Sequence, residues 1–262
     1  DYLADAGYSV LIIDADPQFN STQALLDAYK TRGYDDPESE KNFYNEIVRP
    51  QCKTIYKLFV PQTDMRLSYS TPKAEELIIN LKDNLDIICG DLNLVLVNKV
   101  SDHSFVNRLR NFIEDNSLRK SYDLIVIDCP PTLTIYTDSA LMASDYYRYS
   151  IVGIDSLQEA VNNLIREERI PLKCLGLVYT MVKKDLTPKQ QRIKESFESK
   201  RAVNDIDIFS TTFTECNNIQ YGVSGPVPTK YKSAREDIEA ISLEILDRIS
   251  EKGNGMGGVQ DV

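Results

Sequence analysis

The sequence predicts an α/β fold in which a mostly parallel, twisted sheet carries helices on both faces. Residues 10–13 (Val-Leu-Ile-Ile) and residues 124–127 (Leu-Ile-Val-Ile) are short aliphatic runs. Such runs, rich in β-branched residues, are typical of strands that are buried on both faces. Before the second run, apolar residues recur at the spacing of an amphipathic helix, as expected when strands and helices alternate. With 262 residues, of which 42% are hydrophobic and 27% charged, the chain is long enough for one sizeable core.

Each aliphatic run ends in an aspartate. The first leads into Asp14 and Asp16, and the second into Asp128. The carboxyl ends of the strands in an open parallel sheet form the ligand crevice, so these acids are placed to face a bound cation or phosphate. The structural alternative is that each acid caps the helix that follows it. Both interpretations remain open on the sequence alone.

The residues around these acids resemble a known signature. Residues 14–18 read Asp-Ala-Asp-Pro-Gln and are followed by Asn20 and Thr22, which is similar to the D-x-D-P-Q-x-N-x-T motif of ParA-type partition ATPases. These belong to the wider ParA/MinD group of deviant Walker A P-loop ATPases. Residues 128–131 (Asp-Cys-Pro-Pro) resemble the Walker B strand of the same family. The resemblance implies a P-loop NTPase fold of the deviant Walker A type.

The resemblance also implies an activity. It indicates a Mg-ATP-dependent ATPase that forms a homodimer, binds DNA without sequence preference and segregates plasmids or chromosomes with a ParB-like adaptor protein. Carried over residue by residue, Asp16 would orient the attacking water, Asp14 would support the magnesium shell and Asp128 would hold magnesium through water. ATP, ADP and Mg²⁺ are therefore the expected cofactors, and a nucleoid-associated cytoplasmic location is expected.

One part of the family pattern does not occur in residues 1–262. Relatives carry a K-G-G-x-G-K-[ST] loop whose backbone amides and lysines hold the nucleotide phosphates. The helix that this loop should introduce is present and ends at Gly7. We expect that a strand and this loop precede Asp1, and the alternative is a homologue that cannot hydrolyse ATP. Residues 1–252 are expected to form a single P-loop-type ATPase domain, and the glycine-rich residues 253–262 a disordered tail.

The other predicted elements follow from apolar periodicity and turn residues. Helices are predicted over 23–26, within 42–59, and over 104–114, 134–143, 186–201 and 238–249; strands are predicted over 84–90, 174–182 and 207–212. The family pattern also places a short apolar strand after Asp145, whereas residues 146–150 read Tyr-Tyr-Arg-Tyr-Ser. We therefore expect that residues of that strand are missing between Tyr147 and Arg148.

Three residues are candidates for contact with the nucleotide base. The resemblance places Thr180 and Met181 where relatives contact adenine, and a plain core strand is the structural alternative. Thr214 opens a segment (Thr-Glu-Cys-Asn-Asn) at the place where relatives usually carry a P-x-N-type base-contact loop, and this segment matches it only in part.

The net charge of −10 is unevenly distributed along the chain. Residues 183–201 contain seven basic and three acidic residues, a local charge of +4 that leaves −14 for the rest. Basic residues that neutralise phosphates without reading bases predict salt-dependent DNA binding of low specificity. The candidates are Lys183, Lys184, Lys189, Arg192, Lys194, Lys230, Lys232 and Arg235. The structural alternative for residues 183–201 is a solvated helix face.

Composition and motifs disfavour several other classes. No run approaches eighteen apolar residues, and five scattered cysteines form no C-x-x-C pair. No membrane contact is therefore expected. A MinD-like positioning ATPase would need a basic amphipathic C-terminal tail, and a nitrogenase-reductase-like carrier would need paired cluster cysteines. The main alternative from another class is a non-catalytic, nucleotide-binding scaffold for a partition adaptor.

Overall fold

The computed structural model describes residues 1–30, 42–60, 70–97, 103–130, 132, 134–149, 154–183, 185–199, 206–220, 222 and 224–254. The chain divides into two compact units. The N-terminal unit contains Leu3–Ser144 and Gly225–Val227, and the C-terminal unit contains Asp145–Ser224 and Pro228–Val262. The single domain over residues 1–252 stays a prediction.

A four-stranded sheet forms the centre of the N-terminal unit. Its strands are β1 (Val10–Asp14), β2 (Ile79–Lys82), β3 (Leu85–Ile88) and β4 (Leu124–Asp128), in the order β2-β3-β1-β4. Strand β1 runs parallel to both β3 and β4, and only β2 is antiparallel to its neighbour β3. The predicted mostly parallel sheet is confirmed.

Helices and helical turns surround this sheet. The α-helices are α1 (Tyr2–Asp5), α2 (Asn20–Tyr29), α3 (Tyr56–Phe59), α4 (Leu94–Val97), α5 (Arg108–Asp115), α6 (Leu118–Ser121) and α7 (Ile135–Ala143). A π-helical turn spans Tyr44–Val48, and 3₁₀ turns span Ala74–Glu76 and His103–Asn107.

Both faces of β1 are covered, because successive side chains of a strand point to opposite sides. Leu11 and Ile13 are fully buried in one cluster with Phe59 of α3 and Phe112 of α5. Val10 packs in a second cluster with Leu26 of α2. The prediction of helices on both faces of the sheet is therefore confirmed for the central strand.

One sequence prediction fails in this unit, two are confirmed only in part, and one strand was missed. Burial of residues 124–127 on both faces is wrong, because Val126 is 43% exposed; β4 is also an edge strand of the sheet that the described residues form. Helix within 42–59 is confirmed for α3, but the helical spacing is interrupted between the π-helical turn and α3. The helix predicted over 104–114 is confirmed from Arg108 onward as α5, and a 3₁₀ turn precedes it. Strand β2 was not predicted, although Ile79 and Leu81 alternate with polar residues as in a half-buried strand.

The C-terminal unit contains two small parallel sheets. In one, β5 (Tyr146–Tyr149) pairs with β6 (Lys173–Leu177); in the other, β7 (Thr180–Val182) pairs with β8 (Phe213–Thr214). The helices are α8 (Ile154–Glu168), α9 (Pro188–Glu198), α10 (Asn217–Gln220) and α11 (Lys232–Asn254), and a 3₁₀ turn spans Pro228–Lys230. None of the helices in the described residues has the length and apolar content needed to cross a membrane.

The strands of this unit differ from prediction. The single strand predicted over 174–182 is wrong, since β6 and β7 belong to different sheets and Met181 has a left-handed backbone with φ 58°. The strand predicted over 207–212 is replaced by a single bridge from Ile208 to Leu177 and by β8 further on. Strand β5 forms where the apolar strand was expected, and its register shifts between Tyr147 and Arg148. That residues are missing there stays a prediction.

The C-terminal helix α11 is anchored by a polar cluster that we call the Glu244 cluster: Glu244, Arg248, Ser210 and Thr211. The Glu244 carboxylate accepts hydrogen bonds of 2.8–3.1 Å from the backbone amides and hydroxyls of Ser210 and Thr211. Arg248 donates to Glu244 at 2.8 Å and to the carbonyl of Leu175 at 2.8 Å. Burial raises the pKa of Glu244, but these hydrogen bonds outweigh it and lower the pKa to about 2.

Helices α9 and α11 differ from the predicted helices in their bounds. Helix α9 begins at Pro188, two residues after the predicted start at 186, because the Thr187 hydroxyl accepts a hydrogen bond from the amide of Gln190 at 3.3 Å and caps the helix. Helix α11 continues through Gly253 and Asn254, so these two residues are helical rather than disordered. The rest of the predicted tail, residues 255–262, lies outside the described residues.

Candidate nucleotide site

Strands β1 and β4 bring two of the predicted acids side by side. The parallel register runs from Val10 opposite Leu124 to Asp14 opposite Asp128, and the amide of Ala15 donates to the carbonyl of Asp128 at 2.7 Å. Both carboxylates therefore lie at the carboxyl end of the sheet, where ligands bind in open α/β folds.

Asp14 is fully buried and supports the start of α2. Its Oδ2 accepts hydrogen bonds from the Thr22 amide at 2.8 Å and the Thr22 hydroxyl at 2.7 Å, and its Oδ1 accepts one from the Asp16 amide at 3.2 Å. Phe19, the N-cap residue of α2, makes no side-chain cap hydrogen bond. Asp14, instead of Phe19, accepts the hydrogen bond from the Thr22 amide in the first turn of α2. The capping alternative is therefore correct for this acid.

The environment of Asp14 also changes its protonation. Burial raises the pKa of Asp14 to about 6, and the nearby charge of Asp128 acts in the same direction, against the hydrogen bonds from Thr22 and Asp16. Opposite charge close to a carboxyl favours its ionised form. A cation at this end of the sheet would therefore lower the pKa of Asp14 again.

Asp128 is exposed and has a different role. Its Oδ2 accepts a hydrogen bond of 2.6 Å from the Ser21 hydroxyl in the first turn of α2. The following helix α7 is capped by Thr134, whose hydroxyl accepts from the Thr137 amide at 3.3 Å. The capping alternative is therefore wrong for Asp128, and its Oδ1 accepts no hydrogen bond from the described residues.

Asp16 lies in the loop between β1 and α2 and is half-buried. Its Oδ1 accepts a hydrogen bond from the Gln18 amide at 2.8 Å, while its Oδ2 accepts none from the described part of the chain. The carboxylate is thus held in orientation by one oxygen and has a second oxygen available as an acceptor.

Gly90 closes the site from the end of β3. Its amide donates to the Thr22 hydroxyl at 2.8 Å, and its carbonyl accepts from the Tyr44 hydroxyl at 3.1 Å. Tyr44 in turn stacks on the ring of Phe19 with centroids 5.0 Å apart. Sequence reasoning assigned no role to Ser21 or Gly90. The only signal was their position: Ser21 lies within the D-x-D-P-Q-x-N-x-T motif, and Gly90 lies at the end of a predicted strand.

Substituting Gly90 by alanine is expected to lower the free energy of unfolding by about 1–3 kcal/mol, the usual range for overpacking. The new Cβ would lie 2.6 Å from Cβ of Phe19 and 3.0 Å from Cγ of Asp14. Denaturant unfolding of the full-length protein measures the change. Gly253→Ala is the control, because among the described residues its Cβ would meet just the Tyr146 hydroxyl, at 3.9 Å. Equal stability of Gly90→Ala and the wild type would show that Gly90 is not tightly enclosed.

The three base-contact candidates lie in the C-terminal unit. Thr180 and Met181 are exposed in β7, Met181 to 60%, so the plain core-strand alternative is wrong for both. Thr214 is half-buried in β8, and its amide donates to the Asp237 carboxylate at 2.8 Å. Base contact by these residues stays a prediction.

The basic candidates fall into two groups, on and near α9 and at the start of α11. Lys183, Lys189, Arg192, Lys230, Lys232 and Arg235 are exposed. Lys194 is half-buried, lies 3.7 Å from the carboxylate of Glu198 and stands over the ring of Tyr179. Lys184 lies outside the described residues. DNA contact by this set stays a prediction.

Comparison with known proteins decides the family. A family model described as "AAA domain" matches residues 1–174, which include Asp14, Asp16 and Asp128. The chain belongs to this family and, within it, to the ParA-type group of P-loop proteins. The sporulation initiation inhibitor protein Soj of Bacillus subtilis is 28% identical over 189 residues, which cover 69% of this chain. The same alignment covers 63% of Soj, less than two thirds of its length.

Solved structures show the same fold. The putative plasmid partition protein of Borrelia burgdorferi bound to AMPPNP has a TM-score of 0.60 and 21% identity, covering 96% of this ParA-type chain and 89% of that one. The cobyrinic acid a,c-diamide synthase of Mycobacterium smegmatis with an ATP analogue and magnesium also has a TM-score of 0.60, with 15% identity, covering 96% and 86% of the two chains. The predicted P-loop NTPase fold class is confirmed.

Proposed function

We propose that the protein is a Mg-ATP-dependent ATPase of DNA partition, which dimerises, binds DNA without sequence preference and hydrolyses ATP to drive plasmid or chromosome segregation. The observation that supports this most strongly is the register that sets Asp14 beside Asp128, with Asp16 on the adjoining loop. Nucleotide-bound solved structures of the same fold give independent support.

The side chains at this end of the sheet suit magnesium bound to a nucleotide. Mg²⁺ in such sites keeps several waters and takes one or two carboxylates together with phosphate oxygens. No group of three or more His, Cys, Asp and Glu side chains forms a metal-binding cluster within the described residues. Exposed Asp128, next to the Ser21 hydroxyl, is the residue that would hold the ion through water. Buried Asp14 would not bind the ion directly but would hold the groups around it in position, since its oxygens already accept hydrogen bonds from Thr22 and Asp16.

When bound, ATP would supply the phosphoanhydride bond that is broken, and Mg²⁺ would neutralise charge on the phosphates. The protein then has mainly to position groups around the transferred phosphoryl. Asp16 is suited to orient the attacking water, because its Oδ2 is available while Oδ1 is fixed by the Gln18 amide. Thr22, bonded to both Asp14 and Gly90, holds the acid-bearing loop to two neighbouring strands.

Partners and location are part of the same proposal. A homodimer, non-specific DNA and a ParB-like adaptor are the partners, and the protein acts on the nucleoid in the cytoplasm. Membership of the ParA-type family supports these statements, as does the name of the related Borrelia partition protein. The non-catalytic scaffold remains the alternative from another class.

The test is phosphate release from ATP by the full-length protein, with and without DNA. We expect turnover that requires Mg²⁺ and rises when DNA is added. Phosphate release no higher than that of an Asp16→Ala variant would overturn the enzymatic function and favour the scaffold.

DNA binding is expected to depend steeply on salt, with Lys232 and Arg235 among the phosphate contacts. Both are exposed at the start of α11. Substituting both by alanine should reduce the slope of log K against log salt by about 2, because each lost phosphate contact removes about 0.9. Fluorescence anisotropy with duplexes of unrelated sequence measures the slope.

The matched control for this pair is Lys73→Ala with Lys120→Ala. Both lysines are exposed and lie in the N-terminal unit. This control should keep the wild-type slope. If the α11 pair keeps it as well, the start of α11 does not contact DNA.

A further inference from the structure

One face of α9 combines positive charge with apolar side chains. Lys189, Arg192, Ile193, Ser196 and Phe197 line a groove of about 620 Å³. Ile193, near its centre, is 60% exposed. Among the described residues no carboxylate forms an ion pair with Lys189 or Arg192. We call this surface the α9 face.

Helix α11 presents a surface of opposite charge. Glu236, Glu239, Leu243 and Asp247 are all exposed, and Leu243 is 49% exposed. Their spacing of three and four residues places them along one side of the helix. The other side packs through Ile241, Ile245 and Ile249. No lysine or arginine of the described chain forms an ion pair with these three carboxylates. We call this surface the α11 face.

The two faces match in size, charge and pattern. At 1.5 Å per residue, the α9 face extends about 12 Å from Lys189 to Phe197, and the α11 face about 16 Å from Glu236 to Asp247. Each has an exposed aliphatic residue between charged residues, and the charges are opposite. We propose that the α9 face of one copy of this chain binds the α11 face of another copy, with Ile193 against Leu243 and the cations of α9 against the carboxylates of α11.

A protein partner fits the α9 face better than DNA does. A phosphate backbone offers acceptors to Lys189 and Arg192 but no apolar surface for Ile193. A helix with an apolar residue between carboxylates offers acceptors to the two cations and apolar surface to Ile193. Protein interfaces commonly combine an apolar centre with a charged rim in this way. The complementary helix occurs in this same chain, which is why we assign the contact to a second copy.

This contact differs from the nucleotide-dependent dimer of the proposed function. It involves no residue of the nucleotide site, so it forms with or without ATP. Each copy carries both faces, which makes the contact heterologous unless a two-fold axis relates the copies. Because exposed charges contribute to it, it weakens as salt is raised.

Charge reversal with complementation tests the proposal. The first variant carries Lys189→Glu and Arg192→Glu; the second carries Glu239→Lys and Asp247→Lys. Full-length protein without nucleotide is examined by analytical ultracentrifugation over a range of concentrations. The wild type is expected to self-associate, and each variant alone to associate at least tenfold more weakly. An equimolar mixture of the two variants should associate like the wild type, because every acidic face then meets a basic one.

The same experiment has outcomes that overturn the proposal. It is wrong if the variants associate as the wild type does, or if the mixture remains as weak as either variant. If reversal on α9 weakens DNA binding while self-association is unchanged, the α9 face is a DNA contact instead. A variant carrying Lys73→Glu and Lys120→Glu reverses the same charge elsewhere and should associate normally. Recovery in the mixture also shows that both variants are folded.

Discussion

Replacing Asp16 by alanine is expected to lower the ATP turnover of the full-length protein by at least about a hundredfold, the lower range for loss of a positioned acid–base group. The substitution removes the free Oδ2 as well as the oxygen that the Gln18 amide orients. The backbone amide of residue 16, which donates to Asp14, is retained. Steady-state kinetics should therefore show a large fall in kcat with a much smaller change in KM for ATP.

Asp185→Ala serves as the matched control for Asp16. Asp185 is exposed and makes no hydrogen bond or ion pair within the described residues. Its variant should turn over ATP at the wild-type rate. If Asp16→Ala keeps a kcat within a few-fold of the wild type, Asp16 does not orient the attacking water.

Replacing Glu244 by alanine is expected to lower the free energy of unfolding by about 3 kcal/mol, as when one partner of a largely buried ion pair is removed. Arg248 would lose its carboxylate, and the amides of Ser210 and Thr211 would lose their acceptor. Denaturant unfolding followed by circular dichroism measures the loss. Glu251→Ala, at an exposed position of the same helix, should change stability by less than about 0.5 kcal/mol.

The dependence on pH separates the charge of Glu244 from its packing. The folded-state pKa of Glu244, about 2, lies below the ordinary glutamate value. Its ionisation therefore stabilises the fold fully above the ordinary pKa, and this contribution is lost as the pH falls through the folded value. The stability difference between wild type and Glu244→Ala should shrink from about pH 4.5 towards pH 2. A constant difference would show that the ionised carboxylate contributes nothing.

The sequence was sufficient for the centre of the fold because local and long-range signals agreed there. The aliphatic runs of β1 and β4 both identify strands, although only β1 is buried as expected, and parallel strands of equal length bring their terminal acids, Asp14 and Asp128, to one edge. It did not distinguish what each acid does. That depends on the start of α2, which brings Thr22 to Asp14 and Ser21 to Asp128.

Elsewhere the sequence signal was ambiguous for identifiable reasons. Strand β2 is four residues long and was too short to stand out from its surroundings. Residues 174–182 read as one apolar strand, but the strand is interrupted at Val178 and Tyr179, and Met181 has a left-handed backbone. The helical periodicity over 42–59 corresponds to helix only in the π-helical turn and in α3. In segments of one or two turns, tertiary packing overrides the short-range preference.

Phe19 has a left-handed backbone, with φ 41° and ψ 38°, at the junction between the aspartate loop and α2. For a residue with a side chain this conformation is disfavoured by about 1–2 kcal/mol, and glycine or asparagine would adopt it more readily. The aromatic ring is nevertheless placed on Tyr44, whose hydroxyl holds the carbonyl of Gly90. The junction therefore accepts an unfavourable backbone conformation at Phe19 and is rigid in return. That rigidity holds the carboxylates in one geometry instead of several interconverting ones.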